Sequence, residues 1–103
     1  MLIIKKLSEM IKEEIHDAEK YARCALNHKE DDKILADTFY TLSNEELKHM
    51  EMLHDQVARL INDYRKTKGE PPEPMLAIYN YLHEEQINAV REVKVLLAMY
   101  KGA

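Results

Sequence analysis

The sequence predicts an all-α fold built from three long helices. Apolar side chains recur three and four residues apart along most of the 103 residues, a spacing that places them on one face of a helix. Only 2 Gly and 3 Pro interrupt the chain, and no sustained alternation of apolar and polar residues indicates a strand. A chain of this length is expected to form one domain over residues 1–103.

The first helix is predicted over residues 3–27 and the second over residues 32–67. The polar run between them ends at Asp32, whose carboxylate can cap the start of a helix. The third helix is predicted over residues 74–101, after the stretch that holds all three prolines. Because the first loop is short, the first two helices should pack as an antiparallel hairpin. A hairpin cannot cover its own apolar face, so the third helix or a second chain has to do so.

Charge and composition exclude several kinds of partner. The chain has 15 Lys+Arg and 19 Asp+Glu, a formal net charge of −4, so it lacks the basic surplus of a nucleic-acid-binding protein. No apolar run approaches the roughly 20 residues that cross a bilayer, and the order of apolar and charged residues in the first six is unlike a signal peptide. Cys24 is the single cysteine, so no disulfide can form within the chain. We therefore expect a cytoplasmic protein with no membrane or nucleic-acid partner.

Three ligand-type residues interrupt the apolar faces of the first two helices. Glu14 lies on the first face, and Glu46 and His49 lie on the second, three residues apart and thus one turn apart. The two glutamates are equally far from the loop, so they should face each other at one height. A Glu-x-x-His pair beside a glutamate of a neighbouring helix is how helix bundles hold two iron or manganese ions. The pattern indicates an iron site, with manganese or zinc as alternatives.

Each of these residues also has an interpretation without metal. A glutamate at the edge of an apolar face commonly reaches water, and a Glu-x-x-His pair can be a surface hydrogen bond. Glu19 is an alternative to Glu14 on the first helix, although Glu14 fits the apolar spacing better. Glu85 is the candidate ligand from the third helix. His54 is expected at the edge of the core, and His83 on a solvated helix face.

The motifs around these residues resemble the ferritin-like superfamily, in particular its rubrerythrin and encapsulated-ferritin branches. The first helix has a glutamate followed seven residues later by a tyrosine, Glu14 and Tyr21. The second has an aromatic residue ahead of Glu-x-x-His, here Phe39 followed by Glu46-Leu-Lys-His49. The resemblance implies that Glu14 is a terminal or bridging ligand, Glu46 a bridging ligand and His49 the imidazole ligand. It implies that Tyr21 places a hydroxyl near the metal without binding it.

The chain departs from this family in the number of helices. The family's bundle has four helices, which supply two lone glutamates and two Glu-x-x-His pairs. The three predicted helices here supply half of such a set. The resemblance therefore implies a homodimer, or a higher homo-oligomer, in which two hairpins form a four-helix bundle with the site on the two-fold axis.

The function that this resemblance implies is that of a di-iron carboxylate protein with ferroxidase or peroxide-consuming oxidoreductase activity. No rubredoxin-type cysteines are present, so an electron donor would be a separate, unidentified protein or free iron. Two alternatives stay open. One is a metal-binding protein without turnover, and the other is a metal-free helical oligomerisation module.

Overall fold

The computed structural model describes residues 2–102, and within this range the chain forms three α-helices and no strand. The helices are α1 (Leu2–His28), α2 (Lys33–Lys68) and α3 (Glu73–Lys101). The all-α prediction is confirmed, and each helix begins and ends within one residue of its predicted bounds. The molecule is elongated, 56 × 20 × 17 Å, because the 36 residues of α2 extend for about 54 Å. No helix in residues 2–102 combines the length and apolar character that a membrane crossing requires.

The helix ends follow from local chemistry. A carboxylate oxygen of Asp32 accepts a hydrogen bond of 3.1 Å from the backbone N–H of Leu35, which caps α2 as predicted. α2 ends at Gly69, where φ is +81°, a value that side chains rarely tolerate. α3 starts after Pro72, and its own C-terminal cap is Gly102 in the left-handed conformation.

α1 and α2 pack closely because small side chains line their contact. Five of these residues are fully buried: Ala18, Ala22, Ala25, Ala36 and Ser43. The Ser43 hydroxyl donates a hydrogen bond of 2.7 Å to the carbonyl oxygen of Ala18. Nearer the loop, Ala25 and Ala36 belong to one buried cluster, so the two helices run antiparallel. Side chains of this size let the two backbones approach until a hydroxyl reaches the neighbouring helix directly.

The most buried line of α1 differs slightly from the predicted apolar face. It consists of Ile4, Ser8, Ile11, Ile15, Ala18, Ala22 and Ala25. The sequence pattern predicts a face of Ile4, Leu7, Ile11, Glu14, Ala18, Tyr21 and Ala25. Four of these are buried, whereas Leu7, Glu14 and Tyr21 are half-buried at its edge. The reason is that α3 packs beside Ser8 and Ile15, one position farther around the helix.

α3 lies mainly along α1 and meets α2 over a smaller area. Val93, Leu97 and Tyr100 are its buried residues, all in the C-terminal part of the helix. The Tyr100 hydroxyl donates a hydrogen bond to Asp37 of α2, and its ring stacks on Tyr40 with ring centres 5.1 Å apart. α3 is therefore fastened most firmly at the end near the α1–α2 loop.

Enlarging one of the small buried residues should destabilise the hairpin. Ala22→Leu adds side-chain atoms where no space exists, and overpacking of this kind costs about 1–3 kcal/mol of unfolding free energy. Chemical denaturation in the presence of a chelator measures this loss. Ala98→Leu is the matched control, because Ala98 is exposed on α3 and should tolerate the same change. Equal stability of the two variants would contradict close packing of α1 on α2.

Candidate metal centre

The structure brings the three predicted ligands of the hairpin together. Glu14 projects from α1, and Glu46 and His49 project from α2 one turn apart. One potential ligand atom from each residue lies within 4.8 Å of the others. The His49 Nδ1 atom is 3.5 Å from Glu14 Oε2 and 3.7 Å from Glu46 Oε1. Two carboxylates and one imidazole thus converge from two helices.

The contact between Ser43 and Ala18 sets the relative height of the two glutamates. Ser43 lies one turn before Glu46 on α2, and Ala18 lies one turn after Glu14 on α1. In an antiparallel pair of helices, one turn forward along one helix and one turn backward along the other reach the same height. The hydrogen bond between Ser43 and Ala18 therefore fixes the register that places Glu14 beside Glu46.

The two carboxylates are largely removed from water, whereas the imidazole is not. The side chains are 27% exposed for Glu14, 18% for Glu46 and 55% for His49. The Oε2 atom of Glu14 is buried and has no hydrogen-bond partner. A buried oxygen without a donor costs about 1–3 kcal/mol, so this atom calls for a proton or a cation.

Without a metal, a proton shared between the two carboxylates can satisfy the Oε2 atom of Glu14. Hydrogen bonding with Glu14, burial and repulsion by the Glu14 charge raise the pKa of Glu46 to about 7, and the nearby His49 opposes the rise. Two adjacent carboxylates cannot both be ionised without a large penalty, so below a pH of about 7 one of them holds a proton. That proton gives the Glu14 oxygen the donor that it otherwise lacks.

A cation can also satisfy this oxygen atom, and the donor set of two carboxylates and one imidazole fits iron, manganese or zinc. Carboxylate oxygens bind hard divalent ions and can bridge two of them, and a neutral imidazole nitrogen favours iron and zinc over magnesium and calcium. A cation would leave both glutamates ionised and would satisfy the buried Oε2 atom. His49, whose side chain is 55% exposed, lies at the solvent-facing side of the group.

Tyr21 and Glu85 are placed differently from these three residues. Tyr21 is half-buried two turns along α1 from Glu14, and its ring stacks on Phe39 with centres 6.2 Å apart. Glu85 is exposed on α3 and accepts a hydrogen bond of 2.8 Å from the hydroxyl of Tyr81 on the same helix. The group of converging ligands within residues 2–102 does not include Glu85.

Glu19, the alternative to Glu14, is likewise outside the group. Its carboxylate forms an ion pair of 3.0 Å with Arg23, one turn along α1. Together with Glu85 it lines a groove between α1 and α3. The geometry favours Glu14.

One pair of potential ligands was not anticipated from the sequence. His54 of α2 and His83 of α3 lie in contact, with 3.1 Å between His54 Nε2 and His83 Nδ1. Burial, followed by the neighbouring His54, lowers the pKa of His83. From the sequence, His54 is expected at the edge of the core and His83 on a solvated helix face, because the apolar pattern of α3 does not fix the rotation of that helix about its own axis.

Comparison with known proteins yields no relative: no family model, curated protein or solved structure matches the chain. The resemblance to ferritin-like proteins therefore rests on the motifs around Glu14, Glu46 and His49. The function has to be inferred from the geometry that these residues adopt.

Without metal, the folded chain should lose stability as the pH rises from about 4.5 to about 7. The pKa of Glu46 is about 7 in the folded chain against an ordinary value of 4.5, so in this interval folding takes up a proton. The loss of unfolding free energy is absent below pH 4.5, reaches its full value above pH 7, and amounts to roughly 1–3 kcal/mol. Denaturation curves recorded with a chelator between these pH values measure it.

Glu46→Gln separates this effect from other titrations, because glutamine has nearly the same size and cannot ionise. The variant should lose the part of the pH dependence that arises at Glu46, whereas Glu45→Gln, at an exposed neighbour, should keep it. If Glu46→Gln and the unmodified chain show the same slope, the carboxylates do not share a proton.

Proposed function

We propose that this chain is a di-iron carboxylate protein of the ferritin-like type, whose metal site is shared by two copies of the chain. The buried, unpartnered Oε2 atom of Glu14 carries the proposal, since it faces Glu46 and His49 within ligand distance. A surface hydrogen-bond cluster would instead satisfy its oxygen atoms with protein donors or water.

The ligand group lies on a face of the hairpin that α3 does not cover. We define the open face as twelve apolar and ligand residues on the side of the hairpin that carries Glu14 and Glu46, each of them half-buried or exposed in one copy of the chain. Its members are Ile3, Leu7, Met10, Glu14 and Tyr21 on α1, and Leu35, Phe39, Leu42, Glu46, His49, Leu53 and Leu60 on α2. Ile3, Met10 and Leu35 are each more than a third exposed.

A second copy of the chain is the occupant that explains both the apolar residues and the ligands of the open face. Two open faces related by a two-fold axis would bury the apolar side chains and form a four-helix bundle. The same arrangement brings a second Glu14, Glu46 and His49 to the site. The resulting set, four carboxylates and two imidazoles, is the one with which helix bundles hold two iron ions.

Bound iron would supply the redox chemistry of such a site, namely oxidation of Fe(II) by oxygen or peroxide. The residues of the chain have separate tasks. Glu46 lies beside Glu14 and 3.7 Å from His49 Nδ1; it would hold iron through its carboxylate, and its proton must leave when a cation binds. Glu14 contributes an oxygen that no protein group occupies. His49 contributes a neutral nitrogen at the half-exposed edge. Tyr21 lies on the same face and would offer its hydroxyl nearby.

Anaerobic titration of chelator-stripped protein with Fe(II) should give one iron per chain, which is two per dimer. Oxygen or peroxide should then oxidise the bound iron faster than iron in buffer. Two iron ions per chain would instead mean that one copy completes a site alone. Binding without faster oxidation would indicate a metal-binding protein without turnover.

Glu46→Leu tests whether the binding occurs at this group. Removing a buried carboxylate should stabilise the metal-free chain above pH 7, and it should abolish the stabilisation by iron. Glu45→Leu, at the exposed preceding position, should still be stabilised by iron. Thermal unfolding with and without iron measures both effects. A Glu46→Leu variant that iron still stabilises would disprove the proposed site.

The dimer has its own test at a position that one copy leaves exposed. Met10→Glu puts a charge on the open face and should weaken dimerisation about tenfold or more, because an unpaired charge at an apolar interface is costly. Met99→Glu is the control, since Met99 is exposed on α3, away from this face. Sedimentation equilibrium measures the dissociation constants. A monomer that binds iron fully, or a dimer indifferent to Met10→Glu, would rule out a site shared across the open face.

A further inference from the structure

His54 and His83 form a second pair of ligand-type side chains, located where α2 meets α3. His54 Nε2 and His83 Nδ1 are 3.1 Å apart, and the ring centres are 4.8 Å apart. Both residues are half-buried. Neither residue belongs to the group formed by Glu14, Glu46 and His49.

The spacing of the two rings is close to that of two imidazoles bound to one ion. Two nitrogens at about 2.05 Å from a tetrahedral zinc ion lie about 3.3 Å from each other. In a collinear hydrogen bond of this length the ring centres would lie about 5.4 Å apart. The observed 4.8 Å shows that the rings are tilted from that line. It is closer to the separation of about 5.2 Å that two imidazoles on one tetrahedral ion would have.

We propose that His54 and His83 bind a divalent transition-metal ion that prefers imidazole nitrogen, of which Zn²⁺ is the representative. This site joins α2 to α3 and is independent of the proposed iron site. Within residues 2–102, no third His, Cys, Asp or Glu reaches both rings, so water fills the remaining coordination positions. An ion held by two nitrogens and water binds reversibly and adds a cross-link between two helices.

The surroundings of the pair suit such an ion. The ring of Tyr79 stacks on His83 with centres 5.8 Å apart, which restricts the orientation of the imidazole. The pair opens into a cavity of about 460 Å³ whose lining includes Glu51 and Asp55. Glu51 lies one turn before His54 on the same helix. Arg91 and Lys94 also line this cavity and balance the two carboxylates.

The ion would strengthen the weaker of the contacts made by α3. This helix packs mainly on α1, and its hydrogen bonds to α2 are concentrated near Tyr100, at its C-terminal end. His83 lies in the N-terminal half of the helix. A metal bridge there would hold the part of α3 that is otherwise least attached to α2.

The test uses the chain with Glu14→Gln, Glu46→Gln and His49→Gln combined, so that the proposed iron site is absent. Calorimetric titration of this variant with Zn²⁺ should show one equivalent bound per chain. Adding His83→Gln or His54→Gln should lower the affinity about tenfold or more. Adding His16→Gln is the control and should leave the affinity for Zn²⁺ unchanged. His16 is exposed on α1 and, like His54, lies three residues after a glutamate.

Two results would overturn the proposal: no binding of Zn²⁺ to the triple variant, or binding that survives His83→Gln unchanged. Circular dichroism with a chelator checks that the variants fold. Should the triple variant not fold, the unmodified chain and its His83→Gln variant are compared instead, and the bound zinc should fall by one equivalent per chain. An equal amount of zinc in the two would refute the site. Neither comparison depends on iron binding at Glu46.

Discussion

The close approach of α1 and α2 at Ala18, Ala22 and Ser43 is the constraint on which the rest of the structure depends. Residues this small allow the helix axes to come together until the Ser43 hydroxyl meets the Ala18 carbonyl oxygen. Glu14 and Glu46 project from the neighbouring turns, so the same contact determines both the height and the separation of the two carboxylates. Larger side chains at these positions would move the helices apart, and the ligand atoms with them.

The two carboxylates lower the stability of an otherwise well-packed hairpin. Two carboxylates lie where one proton or one cation has to neutralise them, and one oxygen has no protein donor. Functional sites are the usual places where a fold departs from the rules for stable packing. The apolar and small side chains on either side of Glu14 and Glu46 supply the stability that the carboxylates remove.

The sequence was sufficient to predict the three helices and the convergence of Glu14, Glu46 and His49. It was insufficient to predict how α3 packs. Because the loop is short, Glu14 and Glu46, which are equally far from it along the chain, are predicted to lie at the same height. The connection to α3 contains two prolines, Pro71 and Pro72, and fixes neither the rotation of that helix nor the line along which it packs. Glu85 consequently faces solvent and Tyr81, whereas His83 meets His54. The proposed dimer would add a further partner whose position one sequence does not encode directly.

The location of the ligand group also has a consequence for the order of folding. Contacts between α1 and α2 join nearby parts of the chain, whereas α3 must return to the start of α1, as in the hydrogen bond from Gln86 to the Ser8 carbonyl across 78 residues. Short loops close at a smaller entropic cost than long ones, so we expect the hairpin to form first during synthesis. Glu14, Glu46 and His49 are all contained in it. A nascent chain would therefore bring these three side chains together before its last helix has docked, so the half of the proposed metal site that one chain supplies does not depend on α3.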